Sequence, residues 1–470
     1  MGETDWFGAI AAIVAVGAIG LLGWQLWRVQ RQYAEELAEL FRQVTEEQEK
    51  TSQARQEKEA LARESQAKSE MLATLSQEIR AHLNGIIGSA DLMLDHSLKP
   101  HQREHLTTLR ASAESLHQSL NDVLDYSSIE TGQIQIGHAG FDLRQPLIEV
   151  VETLSPLALL KDLELVLIVA PDMPLLVSGD TARLRQVLLN LMSNAVKFTA
   201  SGRVVLRVGL PPGSSAASMQ HPTWLHFSVS DTGAGIPEEM QATIFDRSAK
   251  SGPMSTRKFG GSGLELAISK RLVELMGGKI GARSLPEGGS EFWVELALPA
   301  DEVQARAATK RPDGLHVVVL DDLAASRVAA SAMLTRLGID HDATDTLAEA
   351  TMLLREAQEE EEARELVLLL DESVAKEGGE GLARMLAEDA TLRSTRIVLM
   401  SRDGDEVTTA GQNLPLTAVV RKPLLRSDVV LEALGKTRGT GALRVSSSRA
   451  PFEAGGESKP AVRREPSVLV

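Results

Sequence analysis

The sequence has no cysteine, few aromatic residues and no excess of positive charge. The absence of cysteine excludes disulfides, thiolate metal sites and cysteine nucleophiles. Phe, Trp and Tyr make up 3% of the chain, too few to suggest platforms that stack bases or sugars. Lys and Arg number 49 against 65 Asp and Glu, a formal net charge of −16, which repels a phosphate backbone. We therefore expect no nucleic-acid partner.

The length and the apolar content of the chain are both sufficient for a protein of several folded domains. The chain has 470 residues, of which 43% are hydrophobic, enough to build buried cores and to exclude wholesale disorder. At roughly 100–200 residues per domain, this length predicts about three domains.

An apolar stretch runs from Trp6 to Trp27 and is interrupted by Gln25. Its length matches the about 20 residues that a helix needs to cross a bilayer, and Trp residues stand at both ends, as in interfacial belts. The preceding residues are acidic, unlike those of a cleaved signal peptide. Arg28 and Arg31 follow, so the positive-inside rule places the rest of the chain in the cytoplasm. The stretch predicts a single-pass transmembrane anchor.

Two helical segments follow a charged helical linker and carry heptad-like apolar seams, with a turn expected between Asp95 and Pro100. Two antiparallel helices cannot bury both seams alone. We therefore predict that the hairpin pairs with a second copy to form a four-helix bundle. The first seam comprises Leu72, Leu75, Ile79, Leu83, Ile86, Ala90 and Met93, and the second comprises Leu106, Leu109, Ala113, Leu116, Leu120 and Val123.

The hairpin carries a recognisable motif. Residues 76–88 read SQEIRAHLNGIIG, and residues 122–133 read DVLDYSSIETGQ. The segment resembles the dimerisation and phosphotransfer hairpin of sensor histidine kinases, whose first helix reads S-H-E-I/L-R-T-P-L-N-G-I-I-G. The resemblance puts Gln77 at the position of the phosphoacceptor histidine and Glu78 at that of the acid that assists proton transfer.

Gln77 lacks the chemistry of an acceptor. Its amide nitrogen lone pair is delocalised into the carbonyl, so we do not expect it to take phosphate. His82 stands five residues further along, a rotation of about 500° on a helix, which places it on a different face. We therefore do not expect His82 to substitute.

A helix with side chains that suit nucleotide binding is predicted over residues 183–199, RLRQVLLNLMSNAVKFT. Asn190, Asn194 and Lys197 fall at spacings of four and three, on one side of the helix. Carboxamide oxygens suit a hard cation and an ammonium suits phosphate, so this side suits a magnesium-bound triphosphate.

Two glycine-rich loops follow that helix. The first, after a strand ending at Asp231, contains Gly233 and Gly235, and the second contains Gly261 and Gly263. Glycines let the backbone approach phosphates, and helix N-termini favour anions.

In their order, these boxes resemble the Bergerat-type ATP-binding domain of histidine kinases, an α/β sandwich. The resemblance implies ATP and Mg²⁺ as cofactors, with Asp231 on the adenine amino group and Asn194 on the metal. Two positions depart from the pattern: Glu265 replaces a glycine of the lid, and Ser248 replaces a phenylalanine, whereas Phe245 is kept. A carboxylate near a triphosphate repels it unless it points away, so ATP binding stays open.

Apolar strands alternate with helical segments from Leu315 onward and predict a doubly wound parallel sheet, whose sites lie at strand C-termini. Acids, a hydroxyl and an ammonium stand at those ends, and the stretch after the third acid, ESVAKEGGEG, is expected to be a loop. The set resembles the receiver domain of response regulators, although Val419 replaces its aromatic switch residue. The resemblance implies Asp371 as the phosphoacceptor, Asp321, Asp322 and Asp371 as Mg²⁺ ligands, and Ser401 and Lys422 as supporting groups.

The whole order resembles a hybrid sensor histidine kinase of the bacterial inner membrane, acting in a two-component phosphorelay with its catalytic and receiver domains in the cytoplasm. Its partners would be a second copy or another histidine kinase, a response regulator or phosphotransfer protein, and the membrane. The expected domains are 1–29 anchor, 30–67 helical linker, 68–133 hairpin, 140–300 ATP-binding domain, 301–313 linker, 314–435 receiver and 436–470 disordered tail.

The function remains open between three readings, and so does whether the chain is an enzyme. The first is a degenerate, pseudokinase-like member that cannot phosphorylate its own hairpin because of Gln77. The second is an active kinase that phosphorylates a partner's histidine in trans, and the third is a non-catalytic dimeric scaffold. A Bergerat-type ATPase of another class, such as a chaperone, is disfavoured by the hairpin and the predicted receiver.

Overall fold

The computed structural model describes residues 4–212, 223–246, 264–300, 314–360, 365–389, 392–402, 414, 416–435 and 443–444. The chain divides into two compact units, Met1–Gln133 and Ile134–Val470. The predicted linker at 301–313 lies outside the described residues, and so does the predicted tail at 436–470 except for residues 443–444.

The first unit is a helical hairpin. Helix α1 spans Thr4–Leu94 and α2 spans Pro100–Glu130, so the predicted turn separates them. Proline suits the first position of α2, because the N–H it lacks would have no partner inside the helix. Leu83, Ala90 and Ala113 are buried between the two helices, whereas the rest of the described seam stays largely exposed.

The predictions of a transmembrane helix and of single-pass inner-membrane localisation are wrong. Within the described part of the chain, no helix has an apolar segment of the length that a bilayer crossing needs.

The second unit begins with an α/β sandwich. A five-stranded sheet has the order β2-β4-β5-β7-β6, with antiparallel pairs except for the parallel pair β2-β4. Helices α3, α4 and α6 pack together beside it, and β1 pairs with β3 in a separate two-stranded sheet. The elements are β1 Ala139–Asp142, α3 Arg144–Leu160, β2 Leu163–Val169, β3 Leu176–Gly179, α4 Thr181–Phe198, β4 Gly202–Gly209, β5 Thr223–Asp231, α5 Glu238–Gln241, α6 Glu265–Leu275, β6 Lys279–Ser284 and β7 Ser290–Leu298.

The same unit ends with a parallel α/β domain of sheet order β13-β12-β11-β10-β8-β9. Alternate residues of β8 point to opposite faces, so Val317 packs with α7 and α10 while Val318 packs with α8 and α9. The predicted doubly wound sheet is therefore present. The elements are β8 Leu315–Leu320, α7 Ala324–Leu337, β9 Asp340–Thr344, α8 Leu347–Glu360, β10 Glu365–Asp371, α9 Glu372–Glu388, β11 Arg396–Ser401, β12 Leu416–Arg421, α10 Ser427–Gly435 and β13 Leu443–Arg444.

The expected loop after Asp371 is wrong, because α9 begins at the next residue. No proline lies within α9, and the carboxylate of Asp371 caps the helix by accepting a hydrogen bond from the backbone N–H of Ser373 at 2.7 Å. The helix continues through Gly378, Gly379 and Gly381.

Candidate functional site

Helix α4 presents the first set of predicted site residues. Its N-terminus is capped by Asp180, whose carboxylate accepts a hydrogen bond from the backbone N–H of Arg183 at 3.0 Å. Asn194 is buried, whereas Asn190 and Lys197 are partly exposed. The Asn190 amide lies 3.4 Å from both the backbone oxygen of Glu265 and the hydroxyl of Ser269, so α4 and α6 meet at this residue.

Asp231 ends β5 as a buried carboxylate. One oxygen accepts the backbone N–H of Gly233 at 2.7 Å, and the other accepts the hydroxyl of Ser290. A Cβ on Gly233 would come within 2.8 Å of that Asp231 oxygen, so this close approach requires glycine. Gly235 has a φ of +75°, which also favours glycine. Sequence analysis missed Ser290, which lies 59 residues from Asp231.

The structure describes the chain on both sides of the predicted lid, at Phe245 and at Glu265. Gly261, Gly263 and Ser248 lie outside the described residues. Phe245 is buried and packs edge-on against Phe292 at a ring separation of 6.3 Å. Glu265 is the first residue of α6, where the helix dipole favours a carboxylate.

In the hairpin, the position of the expected acceptor is open to solvent. Gln77, Glu78 and His82 are all exposed on α1, between the buried residues Ser76 and Leu83. Exchange of residue 77 therefore disturbs no packing within the hairpin.

The parallel α/β domain brings four predicted residues into one acidic pocket. Strands β8 and β10 are paired in parallel register, so Asp321 and Asp371 end up side by side. The ammonium of Lys422 lies 2.7 Å from Asp321 and 2.5 Å from Asp371. Ligand atoms of Asp321, Asp322 and Asp371 lie within 4.8 Å of one another. Three carboxylates at this spacing fit the oxygen preference of Mg²⁺.

Burial and charge act together on these groups. Burial alone would lower the pKa of Lys422, but Asp321, Asp371 and Glu164 raise it well above its ordinary value. Burial alone would raise the pKa of Asp371, but the charge and hydrogen bond of Lys422, with hydrogen bonds from Ser373, hold it below its ordinary value. Asp371 is therefore ionised and Lys422 protonated at neutral pH.

Two residues directly after Asp371 belong to the pocket and were missed. The Ser373 hydroxyl lies 2.8 Å from an oxygen of Asp322 and also contacts Asp371. Ser401, expected to support the phosphoryl group, donates its hydroxyl to Glu372 at 2.6 Å. Glu372 and Ser373 were both missed because the segment after Asp371 was predicted to be a loop, whereas α9 starts at Glu372.

Glu164 was also missed, and it comes from the other domain. This β2 carboxylate lies 2.8 Å from the Lys422 ammonium, across 258 residues of sequence. It is the one polar residue of an otherwise apolar strand, LELVLIV, which was the available signal.

Two domain families match the chain. Residues 67–132 match the His Kinase A (phospho-acceptor) domain, and residues 179–300 match the histidine kinase-, DNA gyrase B- and HSP90-like ATPase domain. The hairpin therefore matches the first of these domain families, and the α/β sandwich matches the second.

Curated relatives agree with this class. The chain is 41% identical over 283 residues to the sensor protein GacS of Pseudomonas syringae pv. syringae, covering 60% of this chain and 30% of GacS. It is 41% identical over 265 residues to the sensory/regulatory protein RpfC of Xanthomonas campestris pv. campestris, covering 56% of this chain and 36% of RpfC. The chain thus spans about a third of the length of these relatives. The two domain matches and these relatives confirm the resemblance of the chain's motifs to sensor histidine kinases.

A solved structure is similar over most of the chain. Full-length ShkA in complex with AMPPNP superposes with a TM-score of 0.56 at 29% identity, covering 78% of this chain and 71% of that chain.

Proposed function

We propose that this chain is a phosphorelay member whose phosphoryl acceptor is Asp371, in a receiver domain at 314–435, and whose own hairpin does not accept phosphate. The observation that carries the proposal is the buried contact between Asp371 and Lys422 at 2.5 Å, beside Asp321 and Asp322. Such a pocket supplies a carboxylate nucleophile, a fixed positive charge and the ligands for a divalent cation.

The proposed step is a phosphoryl transfer. A carboxylate oxygen of Asp371 attacks the phosphorus of an acyl phosphate or phosphohistidine donor and forms a new P–O bond. The bond from phosphorus to the donor breaks, and the donor leaves with its electron pair. Lys422 offsets the charge that arrives with the phosphoryl group, and Mg²⁺ held by Asp321, Asp322 and Asp371 would offset more.

For the hairpin, the proposal rests on Gln77. The lone pair of its amide nitrogen is delocalised into the carbonyl, so that nitrogen is not the nucleophile that an imidazole is, and the side chain is exposed on α1. Glu78 stands next to it, but an acid that assists proton transfer needs an acceptor to act on. Phosphate must then reach Asp371 from another kinase, a phosphotransfer protein or a small phosphodonor.

We further propose that the ATPase domain binds ATP, with Mg²⁺ at Asn194. The match to the ATPase family supports this, and ShkA was solved with AMPPNP. The buried Asp231 and the close backbone at Gly233 also fit the adenine site implied by the resemblance.

Pairing of the hairpin with a second chain is part of the proposal. Histidine kinases dimerise through this domain, and here apolar side chains of both helices are exposed in the single chain. The exposed residues are Leu75, Ile79, Ile86, Leu109, Leu116 and Val123. The partner is a second copy or another histidine kinase.

The test is phosphorylation of the full chain by acetyl phosphate and Mg²⁺, read as a shift on a phosphate-affinity gel. We expect the unmodified chain to shift and Asp371→Asn not to shift. Equal signal in both, or none in either under conditions that label a control receiver, contradicts the proposal.

A second candidate is an active kinase that works in trans, favoured by the preserved Asp231 and Asn194. Labelled ATP is mixed with this chain and a separate hairpin that carries an acceptor histidine. Label on that hairpin, lost with Asp231→Ala, supports transfer in trans. If neither the separate hairpin nor Asp371 is labelled, the remaining candidate function is a non-catalytic dimeric scaffold.

A further inference from the structure

The edge strand of the ATPase sheet carries one acidic side chain into the pocket of the neighbouring domain. Strand β2 lies at the edge of its sheet, and Glu164 is its second residue. The Glu164 carboxylate is 2.8 Å from the Lys422 ammonium, and the Glu164 side chain is 23% exposed. A half-buried carboxylate held this way needs its partner, because the pocket shields it from water.

Glu164 is part of a wider contact with complementary charge. Asp162 lies 2.9 Å from Arg402, and Glu152 lies 3.2 Å from Arg426. At these three places, the acid belongs to the ATPase domain and the base to the parallel α/β domain. Opposite charges facing one another in this way set the orientation of an interface.

An apolar contact lies beside these charges. Helix α7 packs on β2 and buries Val166 and Ile168, with Leu323, Ala325 and Ala329 on the helix side. Helix α7 thus packs on the face of β2 that Glu164, Val166 and Ile168 share. Arg336, near the end of α7, donates to the backbone oxygen of Ala170, just after β2.

Lys422 has as many donors as it has carboxylate partners. A lysine ammonium offers three N–H donors. Here its nitrogen lies within 2.8 Å of oxygens of Asp321, Asp371 and Glu164. Asp321 and Asp371 belong to the same domain as Lys422, whereas Glu164 belongs to the ATPase domain. A phosphoryl group on Asp371 would need a donor from Lys422, and Glu164 is the partner that can leave by a movement between domains.

We propose that Glu164 is a docking carboxylate which takes the phosphoryl-binding donor of Lys422 and so holds the α/β domain on the ATPase domain until Asp371 is phosphorylated. This inference rests on the proposed role of Asp371 as acceptor. An acyl phosphate carries about −1.5 to −2 charges at neutral pH in place of the single charge of the carboxylate, and it takes the same donor. Glu164 is then repelled, and the two domains separate along β2 and α7.

The expected rate effect follows from this competition. Glu164→Gln keeps the size of the side chain but removes the charge that opposes an incoming phosphoryl group. We expect full-length Glu164→Gln to be phosphorylated by acetyl phosphate and Mg²⁺ about tenfold faster than the unmodified chain. The matched control is Glu287→Gln, an exposed glutamate of the same domain, which should leave the rate unchanged.

The opening itself is measured by the distance between two spin labels. Because the chain has no cysteine, Leu160→Cys and Met352→Cys place one label on each domain, at side chains that are 85% and 57% exposed. Pulsed electron paramagnetic resonance then compares the distribution of label distances in Mg²⁺ alone with that in Mg²⁺ plus beryllofluoride, a phosphoryl analogue. We expect a narrow distribution with Mg²⁺ alone, and a broader one centred at a longer distance with beryllofluoride.

Two further variants separate the inference from the proposed function. Arg426→Glu should open the interface without any phosphoryl analogue, and Arg426→Glu with Glu152→Arg should restore the narrow distance. If Asp371 is phosphorylated but the label distance does not change, the docking role of Glu164 is wrong and the acceptor role stands. If Asp371 takes no phosphate, both are overturned.

Discussion

Two positions in this chain are proposed to correspond to phosphate acceptors, and their surroundings differ sharply. At position 77 of the hairpin, the side chain is exposed. In the α/β domain, Asp371 is 5% exposed and Lys422 is 8% exposed, and the two form an ion pair. An exposed acceptor can be exchanged without cost to the fold, whereas a buried one is tied to its partners. The hairpin can therefore lose its nucleophile and keep its structure.

The largest effect is expected where the buried charges are separated. Lys422→Met leaves the carboxylates of Asp321 and Asp371 buried without their cation, which should destabilise the α/β domain by about 3–5 kcal/mol. Hydrogen–deuterium exchange of β8 and β10 in the full chain measures this as lost protection. Unchanged protection would mean that the pocket tolerates unpaired charge and that the contrast with position 77 is false.

The nucleotide site should behave like the buried pocket rather than like the hairpin. Asn194→Asp disturbs the proposed metal ligand, and Asp231→Ala removes the proposed adenine contact. Each is expected to weaken ATP binding by at least about 100-fold in calorimetry with Mg²⁺. Glu287→Gln is the control and should bind as the unmodified chain does. If the unmodified chain itself shows no binding, the ATPase domain has kept its fold but not its ligand.

A smaller effect is expected from Glu265, where the family has glycine. Its carboxylate stands at the N-terminus of α6, beside the proposed triphosphate. Glu265→Gln removes the charge and keeps the helix propensity, so we expect ATP affinity to rise by about tenfold. Glu265→Gly should give a similar gain if charge is the obstacle. A gain with Gly but none with Gln would assign the effect to the backbone.

The smallest effect on stability is expected in the hairpin. Gln77→His changes an exposed side chain, so the free energy of unfolding should stay within about 0.5 kcal/mol and the dimer should persist. Thermal unfolding and size-exclusion chromatography check this. Acid-labile label from ATP on the variant would show in addition that the ATPase domain is active. A large loss of stability would place Gln77 in a contact that the single chain does not contain.

Sequence patterns predicted the groups that lie on one element or at successive strand ends. Asn190 and Asn194 share one side of α4 because of helical spacing, and Asp321 and Asp371 meet because parallel strands end at one edge. Glu164 could not be found this way, since docking of two domains brings it to Lys422. The receiver motif was read as if a loop followed Asp371, but α9 starts there and brings Ser373 into the pocket.

The predicted anchor was argued from the length of the apolar stretch Trp6–Trp27 and from the Trp residues at its ends. No helix in the described part of the chain has an apolar segment long enough to cross a bilayer, so that prediction is wrong.

The most direct test of the central claim is incubation of the purified full chain with γ-labelled ATP and Mg²⁺, followed by mapping of the label. We expect no acid-labile, base-stable label in the hairpin, whereas acetyl phosphate labels Asp371 in the same preparation. Label that maps to His82, or to any other residue of the hairpin, would contradict the claim that phosphate enters this chain at Asp371 from an outside donor.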